Sequence, residues 1–298
     1  MFDYRNVIKN RELRLKLINL LRFIPTKPYL KMVYKIKTGK KLNLKNPTTF
    51  NEKLQWIKLY DRRPEYTRMV DKYEVRGVIA DAIGEEYLFP LLGVWDNFDD
   101  IDFEKLPDRF VLKCTHDSGS IKIIKDKKSI DYQELRKFFT GRLKINPYIH
   151  SREYPYKNVK PRIIAEQYME DADTAELRDY KFYCFDGYVK ALLVATNRQS
   201  ETEELSFDYF DGDYQHLDLT NHWHPHAKTP PQKPDRFDEM KQIAQTLSKG
   251  IPHVRIDLYE VNGKVYFGEF TFFDAGGFLL IHPDSWGKEW GDLIKLNL

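Results

Sequence analysis

Arg255-Ile256-Asp257 and Glu269-Phe270-Thr271 are the residues whose types and spacing best suit chemistry. In each triplet the two polar side chains stand at i and i+2, which share one face of a β-strand. The segments Val254–Val261 and Lys264–Phe270 meet across Asn262-Gly263, a strong signal for a two-residue hairpin. Arg255, Asp257, Glu269 and Thr271 then lie among apolar Ile256, Leu258, Phe267 and Phe270. Two carboxylates and an arginine in such surroundings are costly unless something pairs them. A cross-strand salt-bridge ladder would do so. So would a hard divalent cation carrying a polyphosphate, since Mg²⁺ is commonly held by one or two carboxylates plus phosphate oxygens. The spacing alone leaves both readings open.

Lys113 sits inside the apolar run Phe110-Val111-Leu112-Lys113-Cys114, directly ahead of Thr115-His116-Asp117-Ser118-Gly119-Ser120. A small, glycine-containing turn lets backbone N–H groups approach phosphates, and a strand lysine beside it adds a point charge. A snorkelling edge lysine and an ordinary turn fit the same letters. Ile163-Ile164-Ala165-Glu166-Gln167-Tyr168-Met169 is a strand ending in glutamate, and the extended segment after it offers backbone groups to an adenine. The sequence holds no G-x-x-x-x-G-K-[ST], no G-x-G-x-x-G after a strand and no G-x-S-x-G, which argues against P-loop, Rossmann and serine-hydrolase sites. His222, His224 and His226 alternate as on one strand face. Pro225 interrupts that pattern and no cysteine or acid completes an obvious metal set, so exposed loop histidines are expected. Asp211-Gly212-Asp213 has the letters of a nucleotide-sugar motif but reads as a hairpin turn.

The elements that must position these residues are legible in outline. The chain has 298 residues, 42% hydrophobic and 14% aromatic, enough for a large core without disulfides or a structural metal. Cys114 and Cys184 both fall in strand-like runs, where buried free thiols and a reducing compartment are expected. No run approaches the ~20 apolar residues of a membrane span and no secretory core follows the N-terminus, so a cytoplasmic location is expected. Net charge is +3, but Met1 to Lys45 carries 13 Lys/Arg against Asp3 and Glu12, a net of +11, which leaves −8 for the rest. Leu13, Leu17, Leu20, Leu21 and Ile24 give this end a helical stripe that Pro25 and Pro28 terminate. A basic amphipathic helix either docks on the body of the protein or lies peripherally on the inner face of the membrane. Thr49 and Glu52 predict a capped helix start, and a further helix is expected from Tyr66 to Ile83, stopped by Gly84. Residues 131–144 and Met240–Lys249 read as helix, and 146–161 as a loop. Arg162–Tyr168, Tyr180–Phe185, Val189–Thr196 and Leu205–Phe210 read as strands, with Asp186-Gly187 as a tight turn. Helices first and hairpins later make an α+β protein.

Taken in order, these pieces resemble the ATP-grasp superfamily. Pro47-x-x-Phe50-Asn51-Glu52-Lys53, Asp71-Lys72-Tyr73-x-Val75-Arg76, Leu106-Pro107-x-x-Phe110-Val111-Leu112-Lys113-Cys114, Arg255-x-Asp257-x-Tyr259 and Phe267-Gly268-Glu269-x-Thr271 resemble its teichuronopeptide-biosynthesis branch, over roughly residues 45 to 290. The resemblance implies two α+β subdomains clasping ATP behind a helical N-terminal region, divided here as 1–70, 71–160 and 161–298. It implies ATP and one or two Mg²⁺, with Lys72 and Lys113 on phosphates and Ser118, Gly119 and Ser120 in the flexible loop. Glu166, Gln167 and Tyr168 would hold adenine, and Asp179 and Lys181 would reach ribose or phosphate. Arg255 would clamp the γ-phosphate, and Asp257, Glu269 and Thr271 would hold metal. Thr271 stands where the family usually has asparagine, a better metal ligand. The resemblance further implies a ligase joining an amino acid or amine to a uronic acid of a bacterial surface glycan, with no nucleic-acid partner. A glycan kinase or an inactive glycan- or membrane-binding scaffold are the alternatives. His282, Trp286 and Trp290 are candidates for the acceptor cleft.

Overall fold

The computed structural model describes residues 20–172, 177–196 and 204–296. Leu13 and Leu17 of the basic N-terminal stripe lie outside them. Among the described residues, a 3₁₀ turn at Leu21–Phe23 precedes helix α1, Thr26–Thr38, and Pro28 falls in the first turn of α1 instead of ending a helix. The missing N–H of a proline there has no partner to lose. Tyr29, Leu30 and Tyr34 dock on Leu42, Leu44, Leu59 and Phe278, while Phe23, Met32 and Ile36 stay exposed.

Helix α2, Phe50–Tyr60, starts at the expected cap: the Thr49 side chain accepts from the Glu52 N–H, and Glu52 reaches back to the Thr49 N–H at 3.2 Å. Replacing Thr49 by alanine is expected to cost about 1 kcal/mol, read as a fall of roughly 2–4 °C in Tm.

The helix expected from Tyr66 to Ile83 is two, α3 (Glu65–Val70) and α4 (Val75–Ala82). Asp71 causes the break. Its carboxylate accepts from the N–H groups of Tyr73 and Glu74, at 2.9 and 3.3 Å, which turns the chain. Arg162 then holds Asp71 at 2.9 Å and Glu74 at 2.8 Å. Lys72 is thereby placed at the head of α4.

Two antiparallel sheets follow. The first has order β1-β4-β2-β3, from Leu91–Trp95, Ile163–Gln167, Phe110–Cys114 and Ile121–Ile124. It therefore extends past residue 160, where the sequence suggested a boundary. Helix α5, Tyr132–Leu143, capped by Asp131, covers one face. Strand β2 buries Phe110, Leu112 and Cys114 against Leu135 and Phe139 of that helix, so Lys113 points the other way. The stretch 146–161, expected as loop, contains helix α6 (Tyr148–Ser151) and a 3₁₀ segment, Tyr154–Asn158.

The second sheet has order β10-β9-β5-β6-β7: Lys264–Thr271, Val254–Val261, Asp179–Phe185, Tyr188–Thr196 and Ser206–Phe210. Both tight turns fall where expected, with positive φ at Asp186, Gly187, Asn262 and Gly263. Helix α7, Phe237–Leu247, packs on this sheet. A short pair, β8 (Thr220–Asn221) with β11 (Ile281–His282), and helix α8 (Ser285–Leu293) complete the fold and had no signature in the sequence reading. Trp290 of α8 is fully buried against Phe50, Tyr183 and Phe185, so it belongs to the core and not to an acceptor cleft. Cys114 and Cys184 are buried and free. Among the described residues no helix is long and apolar enough to cross a membrane.

His253 sits beside Phe50 and Phe185 and donates Nδ1–H to the Cys184 carbonyl at 3.0 Å. Burial pushes its pKa down to about 3. The unfolded chain binds a proton that the native state refuses, so stability falls as pH drops below about 6.5. Between pH 6.5 and 5 this amounts to about 1.5 kcal/mol, the slope rising from half of ~1.4 kcal/mol per unit at pH 6.5 toward the full value. His116 and His150, also lowered by burial, act in the same direction. In melts across that range, His253→Phe is expected to flatten the acid slope whatever its effect at pH 8.

Candidate active site

One cleft is lined from both sheets. Its floor is a ladder across three strands. Lys181 on β5 stands opposite Asp257 on β9, which stands opposite Glu269 on β10. The next rung is Tyr183, Arg255 and Thr271. Side chains at i and i+2 share a face, so both rungs point the same way. Gly268 is the extra residue of a β-bulge that brings Glu269 into line with Asp257. A Cβ at Gly268 would stand 2.8 Å from the Tyr259 ring and 2.9 Å from the Asp257 carbonyl, so only glycine fits.

Arg255 is fully engaged. Nε and Nη2 hold Asp257 in a fork at 2.7 and 2.8 Å, Nη1 holds Asp274 at 2.7 Å, and Nη2 reaches Thr271 Oγ1 at 3.1 Å. Burial raises the Asp257 carboxyl, but the charges of Arg255 and Lys181 outweigh it and keep the group below the ordinary carboxylate value. For Asp274, burial is likewise outweighed by Arg255 and the Tyr183 hydroxyl. Lys181 bridges Asp257 and Asp179, at 2.5 and 2.6 Å. Glu269 is half exposed and keeps a long contact with Arg255, 3.6 Å. The Thr271 hydroxyl lies between Arg255 and Glu269, accepting from the first and donating to the second at 3.5 Å.

The opposite wall is basic. Lys113 pairs with Glu166 at 2.6 Å, and Arg76 approaches the same carboxylate at 3.7 Å. Lys72 donates to the Asp117 carbonyl at 2.6 Å and makes no ion pair among the described residues. Ser118, Gly119 and Ser120 line the cleft in the turn joining β2 to β3, where Gly119 has φ 80°. Arg142 steadies this turn through the Ser118 carbonyl at 3.1 Å and Asp117 at 3.3 Å. Leu88, Phe89, Tyr259 and Phe267 form the apolar end of the cleft.

Lys72, Lys113, Ser118, Gly119, Ser120, Glu166, Asp179, Lys181, Asp257 and Glu269 therefore share one cleft. Arg255 and Thr271 stand beside it, on the second rung. Gln167 and Tyr168 are elsewhere. The Gln167 N–H is spent on the Pro90 carbonyl at 2.9 Å. Both residues line a second groove, where Arg109 stacks on Tyr168 at 4.2 Å and pairs with Glu170. Glu166 meets the cleft through its carboxylate, between two cations.

Asp274 escaped the sequence reading. Its signal was an acid three residues past Thr271, opening the small-residue run Asp274-Ala275-Gly276-Gly277. Helix α2 anchors that run: Lys58 donates to the Gly276 carbonyl at 2.6 Å and Gln55 to that of Gly277 at 2.7 Å. Burial lowers the Lys58 pKa to about 8.

The ladder suits Mg²⁺ by its donor set. Asp257 and Glu269 supply hard oxygens side by side, and Asp179 adds a third carboxylate nearby. Against them stand Lys181 and Arg255, so a polyphosphate meets an acidic wall unless a divalent cation intervenes.

No curated protein matches the sequence. Among solved structures, a D-alanine–D-alanine ligase from Bacillus anthracis complexed with ATP aligns at 14% identity and TM-score 0.45, over 89% of this chain and 72% of its own. The same enzyme in another structure aligns at 15% and 0.39, over 68% of this chain but only 57% of its own. The ATP-grasp ligase PsnB, complexed with minimal precursor, Mg and ADP, aligns at 12% and 0.39, over 74% and 57% respectively. The present chain thus spans under two thirds of some of these proteins. Residues 52–295 match the family described as TupA-like ATPgrasp. With that match over most of its length, the chain belongs to the TupA-like ATP-grasp family.

Proposed function

We propose that the chain is an ATP-dependent carboxylate–amine ligase, forming ADP. The observation that carries this is the Lys181–Asp257–Glu269 rung facing Lys72 and Lys113 across one cleft. Family membership supports it. The apolar end at Leu88, Phe89 and Phe267 suits a purine, and the basic wall suits the phosphates. Lys72 and Lys113 neutralise phosphate charge, and the turn at Ser118–Ser120 presents backbone N–H groups. Asp257 and Glu269 would hold Mg²⁺, whose chemistry is charge neutralisation on the transferring phosphoryl group.

An acceptor carboxylate oxygen attacks the γ-phosphorus as the bond to the ADP oxygen breaks. An amine then attacks the acyl carbon, loses a proton, and phosphate departs with the original carboxylate oxygen. Arg255, fixed by Asp257 and Asp274, lies close enough to the ladder to stabilise negative charge on the transferring group. For the acceptor we assign a uronic acid of a bacterial surface polysaccharide or its precursor, with an amino acid or amine as nucleophile. Thr271 serves in this scheme by orienting Glu269 instead of ligating metal.

The test supplies ATP, Mg²⁺, hexuronic acids labelled with ¹⁸O in the carboxylate, and a panel of amino acids. The ligase route transfers label into inorganic phosphate. Phosphorylated sugar without label transfer would replace it with kinase chemistry, and no nucleotide turnover with any acceptor would leave a binding scaffold.

A further inference from the structure

We propose a second metal site outside the cleft, formed by Asp208, His216 and His226 and suited to a divalent transition ion of the zinc class. One donor atom from each lies within 4.8 Å of the other two. Asp208, on edge strand β7, is completely buried. Its Oδ2 accepts the Ala227 N–H at 3.2 Å, while Oδ1 faces His216 Nε2 at 2.9 Å and His226 Nδ1 at 3.9 Å.

The tautomer of His226 gives this cluster its direction. Its Nε2 lies 2.9 Å from the Leu219 carbonyl, which can only accept, so Nε2 carries the proton. In the neutral ring Nδ1 is then a bare lone pair, turned toward a buried carboxylate oxygen. Asp208 Oδ1 already accepts the His216 Nε2–H at 2.9 Å, and the His226 lone pair facing it at 3.9 Å is relieved only by a proton or a metal cation placed between them. The His216 ring, set at 90° to that of His226 with centroids 4.7 Å apart, brings a third ligand atom, Nε2, within 4.8 Å of the other two.

The support is also that of a metal centre. A ligating histidine typically donates its other N–H to a carbonyl or carboxylate, and a ligating carboxylate is itself hydrogen-bonded. Leu219 and Ala227 fill those roles. Two imidazoles and one carboxylate favour zinc-class ions over Mg²⁺, so the site differs in kind from the all-oxygen ladder of the cleft. A tetrahedral ion with bonds near 2.0 Å needs donors about 3.3 Å apart. Reaching that spacing requires the 3.9 Å gap between Asp208 and His226 to shorten and His216, the most exposed of the three, to turn its Nε2 from the carboxylate to the ion. That outer side leaves room for a fourth ligand from solvent or substrate. An ion here would tie the connection from Asp211 to Ala227 onto the edge of the second sheet.

Sequence alone missed the set. His222 and His224 do not join it: the His224 ring packs tilted against Phe207, centroids 4.3 Å apart, and the His222 ring lies 6.3 Å from that of His282. The acid that completes it comes from a strand 18 residues before His226.

The test uses the full chain, stripped by chelator and titrated with Zn²⁺ against a chromophoric competitor in excess Mg²⁺. One equivalent is expected to bind, to survive Asp257→Asn, and to weaken at least about tenfold in His216→Gln and His226→Gln. Co²⁺ in place of Zn²⁺ is expected to give a visible band that His216→Gln abolishes. His216 is exposed enough that its variant should keep the wild-type circular dichroism spectrum and metal-free Tm. Absence of Zn²⁺ binding in the wild type overturns the proposal and leaves an Asp–His ion pair. So does an equivalent that persists in His216→Gln and His226→Gln but disappears in Asp257→Asn.

Discussion

Replacing Arg255 by methionine is expected to destabilise the protein by about 3–5 kcal/mol and to lower turnover at least about 10²-fold. The size follows from burial. Arg255 is 8% exposed and serves two carboxylates, Asp257 and Asp274, which are held below the ordinary carboxylate range. Their contribution to stability is present above the unfolded carboxyl pKa and is lost as pH falls through their folded values. Without the guanidinium, burial dominates and both pKa values rise, so acid sensitivity should begin at higher pH. Adding Asp257→Asn and Asp274→Asn removes the stranded charges. The triple variant should melt closer to wild type than Arg255→Met does, and still not turn over. A single variant melting within about 1 °C of wild type would show that the guanidinium does not compensate these carboxylates.

The sequence was most legible where local chemistry decides structure. Thr49 and Glu52 announced α2, and Asp186-Gly187 and Asn262-Gly263 announced two hairpins, because cap and turn residues act on their own backbone. Alternation in β2 separated Lys113 from the core face, and i, i+2 spacing put Arg255 with Asp257. Long-range burial was less legible. Strand β1 has no polar alternation and is defined by its pairing with β4. Trp290 is a candidate for the acceptor cleft by its sequence, yet α8 folds back onto α2 and buries it in the core. The Asp71 break in α3–α4 was hidden because an aspartate turn leaves the apolar periodicity on both sides intact. In the site, the misses share one cause. Glu166 bonds with its side chain across to β2, while Gln167 and Tyr168 turn to the other groove. Asp274 reaches Arg255 from a loop that α2 holds. Partners supplied by another element cannot be read from spacing.

Glu269→Gln is expected to separate catalysis from stability. Its carboxylate is half exposed and holds Arg255 at only 3.6 Å, so the melting temperature should change by no more than ~0.5 kcal/mol would allow. If Glu269 holds the ion that carries the phosphates, turnover should fall by about 10²–10³, with a higher Mg²⁺ requirement. Asp257→Asn should lower turnover at least as far and also cost stability, since Lys181 and Arg255 lose the carboxylate they share. Their other partners, Asp179 and Asp274, remain, so the fold should survive. Initial rates of ADP release across a Mg²⁺ titration, with melts in the absence of nucleotide, measure both quantities. Wild-type rates for Glu269→Gln at every Mg²⁺ concentration would remove it from the metal set. The double variant decides whether the two acids serve one ion. Groups acting as a unit are strongly non-additive, so it should be no slower than the worse single variant. Independent losses that multiply would instead assign Asp257 to holding Arg255 and Lys181 in place, with Glu269 alone on the metal.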